Sequence, residues 1–430
     1  MLLSSLLLNQ VTRIIGFRAI VMVCTSLLSL LLLRVLIQEF SVEQVGKYFV
    51  LIACGQFISF LDLGVGYVTS ILLSKASNLG KKLEIMQFAL RKLVSAQFFL
   101  SFLLIASIPL WNLILFREFK FANLELFSTI FLTSCIISLF NVCNQFSIVN
   151  NDLKTILQID LTRGILLFVC SIISILAYKS LYLLIIAWLL SNLIPNLFFH
   201  WKLIRSIFRN NLRFNPGKNQ IKVFSKTGFQ NQFTTIGSLL NNSSDQLILS
   251  GILGPGSVVS YQVVTRVLVF FRSILGIIWL RLWPILSAKP SGNKSSLEAQ
   301  ALLRVSIFLG FLFLIFNSVL GEVFVRFVFS PEIDLSLVVY VAVGFIGLIS
   351  SLEIVVSAAT MDFKFQYLKL LTVLCSGILN VFLTAHLVSL FGVLGCFISS
   401  FIVITFINII PLWFARRDFL KNIFRYVDTV

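Results

Sequence analysis

Six polar side chains, Gln230, Asn231, Gln232, Asn241, Asn242 and Asp245, share one membrane-length segment, Lys226 to Gly254 (KTGFQNQFTTIGSLLNNSSDQLILSGILG). Polar and ionisable groups are costly inside a bilayer, so such a segment faces a cavity or a substrate path. Thr234, Ser238, Asn241 and Asp245 recur at intervals of 4, 3 and 4 residues, with Asn242 beside them. At 3.6 residues per turn these four fall within about 60° of one another. The result is a polar stripe suited to hydrogen-bonding a hydroxyl-rich ligand. Hydrogen bonding between neighbouring helices is the alternative use of the same groups. Asn242-Ser243-Ser244 matches a glycosylation sequon but lies within a span and is set aside.

The charges inside apolar segments form a second group. Arg18 lies 23 residues before a turn near residue 41, and Asp62 lies 21 after it. Asp245 lies 10 residues before Pro255, and Arg266 lies 11 after it. At 1.5 Å per residue each pair sits at one depth. Two Arg–Asp pairs are therefore expected, serving transport or only neutralising each other within their hairpins. Arg272 has no acidic partner at its level in the preceding segment, so it should face water or an anion. Arg281 is nearer a helix end, where snorkelling is an easy alternative. Glu353 is a partner for a third helix, a proton site or an interfacial carboxylate.

The elements that must hold these residues are membrane helices. Of 430 residues 58% are hydrophobic and 12% charged, and mean hydropathy is +1.00. Apolar stretches of about 20 residues, each able to span roughly 30 Å of hydrocarbon, recur along the chain. A β-barrel's alternation is absent. Twelve spans are read at about 14–33, 48–72, 93–115, 124–146, 162–178, 181–199, 227–253, 257–286, 303–325, 335–358, 368–388 and 391–414. Residues 1–12 read as an interfacial lead-in, too short to cross, and no cleavable signal is evident.

The net charge of +17 would suggest nucleic acid in a soluble protein, but here the basic residues sit in short loops. With the N-terminus inside, the inner loops hold about four times as many Lys and Arg as the outer ones. The outer set is Arg34, Lys47, Arg117, Lys120, Lys179 and Arg326. Both termini are therefore expected in the cytoplasm, with no nucleic-acid partner. The seven cysteines show no metal spacing and read as small buried hydrophobes. His200 and His386 lie far apart in sequence, so no His-based metal site is expected.

A basic linker, 206–226, divides the chain into an N-lobe at 1–205 and a C-lobe at 227–430. An offset of 213 residues relates the halves weakly: Tyr48 falls on Tyr261 and Ser74 on Ser287. Six spans per half give repeats of the same orientation. Their pseudo-two-fold axis then runs along the membrane normal, with substrate between them.

The run VEQVGKYFVLIACGQFISFLDLGVGYVTSILLSKA at 42–76 resembles the first two spans of bacterial Wzx-type O-antigen flippases and related polysaccharide exporters. The G-x-Y near its start, the D-L-G in its middle and the closing S-K carry the likeness. In the second half NNSSDQLILSGILGPGSVVSYQVVTRV is similar to that family's region after the central loop. The resemblance implies the multidrug/oligosaccharidyl-lipid/polysaccharide exporter (MOP) fold: all-α and polytopic, with two six-helix lobes around a central cavity lined by the first two helices of each lobe.

The implied activity is transport, not enzymatic catalysis. An undecaprenyl-pyrophosphate-linked oligosaccharide is flipped from the cytoplasmic to the periplasmic leaflet of the bacterial inner membrane by alternating access. In that reading Arg18, Arg266, Arg272 and Arg281 attract the pyrophosphate and any acidic sugars. Thr234, Ser238, Asn241 and Asn242 contact sugar, and Asp62, Asp245 or Glu353 exchanges H⁺ or Na⁺. No cofactor or metal is expected. Partners are the lipid-linked substrate, membrane lipids, and polymerase and other polysaccharide-assembly proteins. The rivals are a cation-coupled multidrug exporter of the same fold and a membrane-embedded sugar polymerase or ligase. The latter is disfavoured because no outer loop is long enough for a catalytic site.

Overall fold

The computed structural model describes residues 2–59, 64–76, 78–114, 124–150, 152–209, 228, 232–241, 243–287, 293–329, 335–359 and 366–415. All regular structure among them is helical, and helix falls within each of the twelve predicted spans. Nine helices among the described residues are long and apolar enough to cross a bilayer. The elements are α1 (Leu2–Glu39), α2 (Val42–Ser59), α3 (Val65–Lys75), α4 (Leu79–Ile114), α5 (Leu124–Val149), α6 (Leu153–Tyr178) and α7 (Leu181–Arg209). They continue with α8 (232–241), α9 (Ser244–Leu253), α10 (Pro255–Ser287), α11 (Asn293–Val328), α12 (Leu337–Ala359) and α13 (Gln366–Phe391). The last predicted span is α14 (Val393–Val403), a π turn (Ile404–Ile409) and α15 (Ile410–Ala415).

Three departures from the predicted spans have physical causes. Residues 2–12, expected as a separate lead-in, continue into α1, a helix of 38 residues. No Gly or Pro interrupts this Leu-rich stretch, and nothing stops helix propagation. The second span is divided: α2 ends at Ser59, and α3 starts after Gly64, whose φ of 72° is left-handed. The seventh is divided at Ser243 (φ −120°, ψ −16°), between α8 and α9.

The chain packs as two units, Met1–Lys47 with Gly237–Val430, and Tyr48–Ile236. In the first, α1 lies antiparallel to α10. Met22 faces Gly276, and Ser26 Oγ lies 3.5 Å from Ser273 Oγ. Helices α11 and α12 meet through glycines: a Cβ at Gly347 would strike the Phe313 ring, and one at Gly344 would press on Leu314. Small residues allow such close approach where no hydrophobic force drives helices together. Helices α8 and α13 touch backbone to backbone, with Gly237 against Val373 and Gly377 against Gly237.

The second unit centres on buried Val65, Val68, Leu73, Met86, Leu93, Val142 and Cys143, on α3, α4 and α5. Ser134 Oγ donates to the Gly55 carbonyl at 2.8 Å, tying α5 to α2. His200 Nε2 and Asn144 Oδ1, 2.8 Å apart, join α7 to α5. Pro195 lies inside α7, one turn before His200.

Candidate functional site

Asp245 opens the first turn of α9 and is 1% exposed. A buried charge needs partners, and neutral donors supply them here. The Tyr261 hydroxyl on α10 donates to Oδ2 at 3.0 Å. Asn380 Nδ2 and Thr384 Oγ1 on α13 donate to Oδ1 at 3.1 and 3.2 Å. Ser400 on α14 also hydrogen-bonds the carboxylate. Ser399 Oγ donates to Asn380 Oδ1 at 2.9 Å and so orients the amide that faces Asp245. The Tyr261 ring stacks on Phe397, with centroids 5.3 Å apart and planes 24° apart. Four elements, α9, α10, α13 and α14, thus converge on one carboxylate.

Helix α13 presents this network through a stripe of its own. Thr372, Ser376, Asn380 and Thr384 recur every four residues, and all are buried. Asn241 Nδ2 on α8 donates to Ser376 Oγ at 2.6 Å, one turn before Asp245 meets Asn380. The pairs 237/373, 241/376 and 245/380 advance together, so the seventh and eleventh spans run parallel. Three spans, an odd number, lie between them, which requires that direction.

The predicted stripe is therefore distributed over two helices. Asn241 and Asp245 both bond to α13. Thr234 is half-buried and Ser238 exposed on α8, and both take part in polar interactions. Asn242 and Asp62 lie outside the described residues. Arg18 is half-buried on α1, and Arg266 is half-buried on α10. Arg266 stands five residues beyond Tyr261, which puts it about 140° round the helix from the side that faces Asp245. Arg281 lies on α10, with its side chain outside the described set.

A second feature gathers around Arg272. A cavity of about 310 Å³ is lined by Arg272, Leu275, Gly276, Ser350, Glu353, Ile354 and Lys369, from α10, α12 and α13. Arg272 Nε donates to Ser350 Oγ at 3.1 Å, and Ser350 Oγ donates in turn to the Ile346 carbonyl at 2.8 Å. That contact uses one of five guanidinium N–H donors. Glu353 lies close enough to Lys369 for their charges to interact. The sequence put Arg272 and Glu353 on separate helices without linking them, and the fold places both on one cavity wall.

Sequence reasoning missed Asn380, Thr384 and Ser400 as partners of Asp245, and Lys369 as a cavity residue. The four-residue polar repeat of α13 was the available signal for the first two. Lys369 reads as an ordinary boundary lysine.

No protein-family model and no curated protein matches the chain by sequence. Solved structures do match by shape. An inward-facing multidrug-resistance MATE family transporter of the MOP superfamily superposes with TM-score 0.73 at 13% identity, covering 95% of this chain and 99% of the other. The lipid II flippase MurJ, in an inward closed conformation, gives TM-score 0.72 at 17% identity over 94% of this chain and 89% of MurJ. A MOP superfamily transporter from Pyrococcus furiosus, described as having a binding pocket of reverse polarity, gives 0.63 at 15% identity over 96% of each chain. The chain has the fold of the MOP superfamily transporters.

Proposed function

We propose that this protein flips an undecaprenyl-pyrophosphate-linked oligosaccharide from the cytoplasmic to the periplasmic leaflet of a bacterial inner membrane by alternating access. The observation that carries the reading is the cavity around Arg272, where two cations, Arg272 and Lys369, face one carboxylate, Glu353. Guanidinium pairs with phosphate in bidentate geometry, which suits a pyrophosphate headgroup. Arg18 on α1 and Arg266 on α10 are further cations that an anionic substrate could meet along its path. The likeness of 42–76 to Wzx-type exporters supports the same substrate class. Asp245 takes up H⁺ or Na⁺ to reset the carrier, since its network offers one negative charge and neutral oxygens. The partners in this reading are membrane lipids and the polymerase and other assembly proteins of a surface polysaccharide.

The test is flipping of a fluorescent lipid-linked oligosaccharide in proteoliposomes. Loss of a charge-assisted contact of about 1.5–3 kcal/mol lowers the rate roughly 10- to 150-fold, the expected result for Arg272→Ala. A wild-type rate would remove Arg272 as an anion contact. The second reading, a cation-coupled multidrug exporter, is favoured by the fold shared with the MATE transporter. It requires efflux of cationic drugs by the same vesicles.

A further inference from the structure

The cavity around Arg272 holds more than an anion contact. Its chemistry comes from three charges on three helices: Arg272 on α10, Glu353 on α12 and Lys369 on α13. Lys369 stands three residues after the start of α13, and Glu353 six before the end of α12. At 1.5 Å per residue these are only about 4.5 and 9 Å from the helix ends. The cavity therefore lies near the end of the unit where α12 stops and α13 starts. The Lys/Arg bias of the loops puts that end in the cytoplasm. A volume of about 310 Å³ is at the small end of ligand sites, which run to roughly 1,000 Å³. It admits a headgroup but not an oligosaccharide.

The charges balance differently with and without a ligand. Alone, Glu353 partly neutralises Lys369 while Arg272 leans on the neutral Ser350 hydroxyl. A diphosphate diester brings two negative charges and satisfies both cations better than one carboxylate can. Glu353 then faces a like charge and is the group that must yield.

We infer that this cavity is the loading site for a diphosphate headgroup at the depth of the cytoplasmic leaflet, with Lys369 as its second cation and Glu353 as a resident counter-ion that the headgroup displaces. The inference rests on the flippase reading and deepens it. Glu353 keeps the empty site from holding stray monovalent anions, and its repulsion helps the headgroup leave once loaded. Lys369 sets affinity at loading.

The experiment uses the full chain in lipid nanodiscs with two probes, inorganic pyrophosphate and a polyprenyl diphosphate, followed by flipping kinetics. Glu353→Gln should bind both probes roughly tenfold tighter, lower KM and slow maximal flipping. Lys369→Gln should bind both roughly tenfold more weakly and raise KM. A response confined to the polyprenyl probe would overturn a diphosphate site and assign the cavity to the lipid chain. Unchanged binding in both variants, with Arg272→Gln still impaired in flipping, would refute the roles of Lys369 and Glu353 and leave the proposed function standing. If neither probe binds the wild type and Arg272→Gln flips normally, the loading site and the role of Arg272 fall together; if the wild type itself does not flip a lipid-linked oligosaccharide, the proposed function falls.

Discussion

Replacing Tyr261 by Phe is the cleanest probe of the Asp245 network. The substitution deletes one oxygen, the donor 3.0 Å from Asp245 Oδ2. It keeps the ring that stacks on Phe397, so no cavity opens. A hydrogen bond to a charged partner is worth about 1.5–3 kcal/mol, against about 0.5–1.5 for a neutral pair. Asp245 is buried, so water does not replace the lost donor. Three other donors remain on the carboxylate, from Asn380, Thr384 and Ser400, which places the expected loss near 2 kcal/mol if Asp245 is ionised. Reversible unfolding in mixed micelles by increasing SDS reads this directly, with Tyr340→Phe on α12 as a control of similar burial. A loss near 1 kcal/mol would indicate a protonated Asp245 under those conditions. A loss below about 0.3 kcal/mol would refute the reasoning, because the bond would then contribute nothing to the folded site.

Three further outcomes follow from the geometry. On the proposed flippase reading, Asp245→Asn should abolish any dependence of flipping on H⁺ or Na⁺ while the chain still inserts; persistence of that dependence in proteoliposomes would move the coupling elsewhere. Gly377→Ala puts a Cβ 2.5 Å from the Gly237 carbonyl and should cost about 1–3 kcal/mol by overpacking α13 against α8, measured by the same unfolding assay. Gly64→Ala meets both a left-handed φ of 72° and the backbone of Gly228. It should lose about 1–2 kcal/mol from conformation alone, so an unchanged midpoint would deny that the left-handed turn at Gly64 is fixed.

Hydropathy alone located the helices, because every span must satisfy its own backbone in lipid and announces itself by length and apolarity. Asp245 and Arg272 stood out for the same reason: a charge in an apolar run has few tolerable fates. Their partners did not stand out. Asn380 and Thr384 are small polar residues of a kind common in membrane helices, and their pairing with Asp245 joins segments 135 and 139 residues apart. Single-helix periodicity carries no information about which distant face will meet it. The break at Ser243 was equally hidden, since Asn-Ser-Ser suits a helix interior in lipid as well as a cap. Lys369 sits where the charge rule already explains a lysine, so a second role left no trace in the sequence.

The parallel pairing of α9 with α13 has a consequence for biosynthesis. Tyr261 follows Asp245 by 16 residues, but Asn380 follows it by 135. At about 5–20 residues per second, the ribosome delivers the tyrosine within roughly 1–3 seconds and the amide only after roughly 7–27. For that interval the nascent carboxylate has one of its final donors and lacks those of α13. The seventh span must therefore wait beside the translocon or in a hydrated setting until the eleventh arrives. Completion of the site thus awaits α13 and the Ser400 of α14.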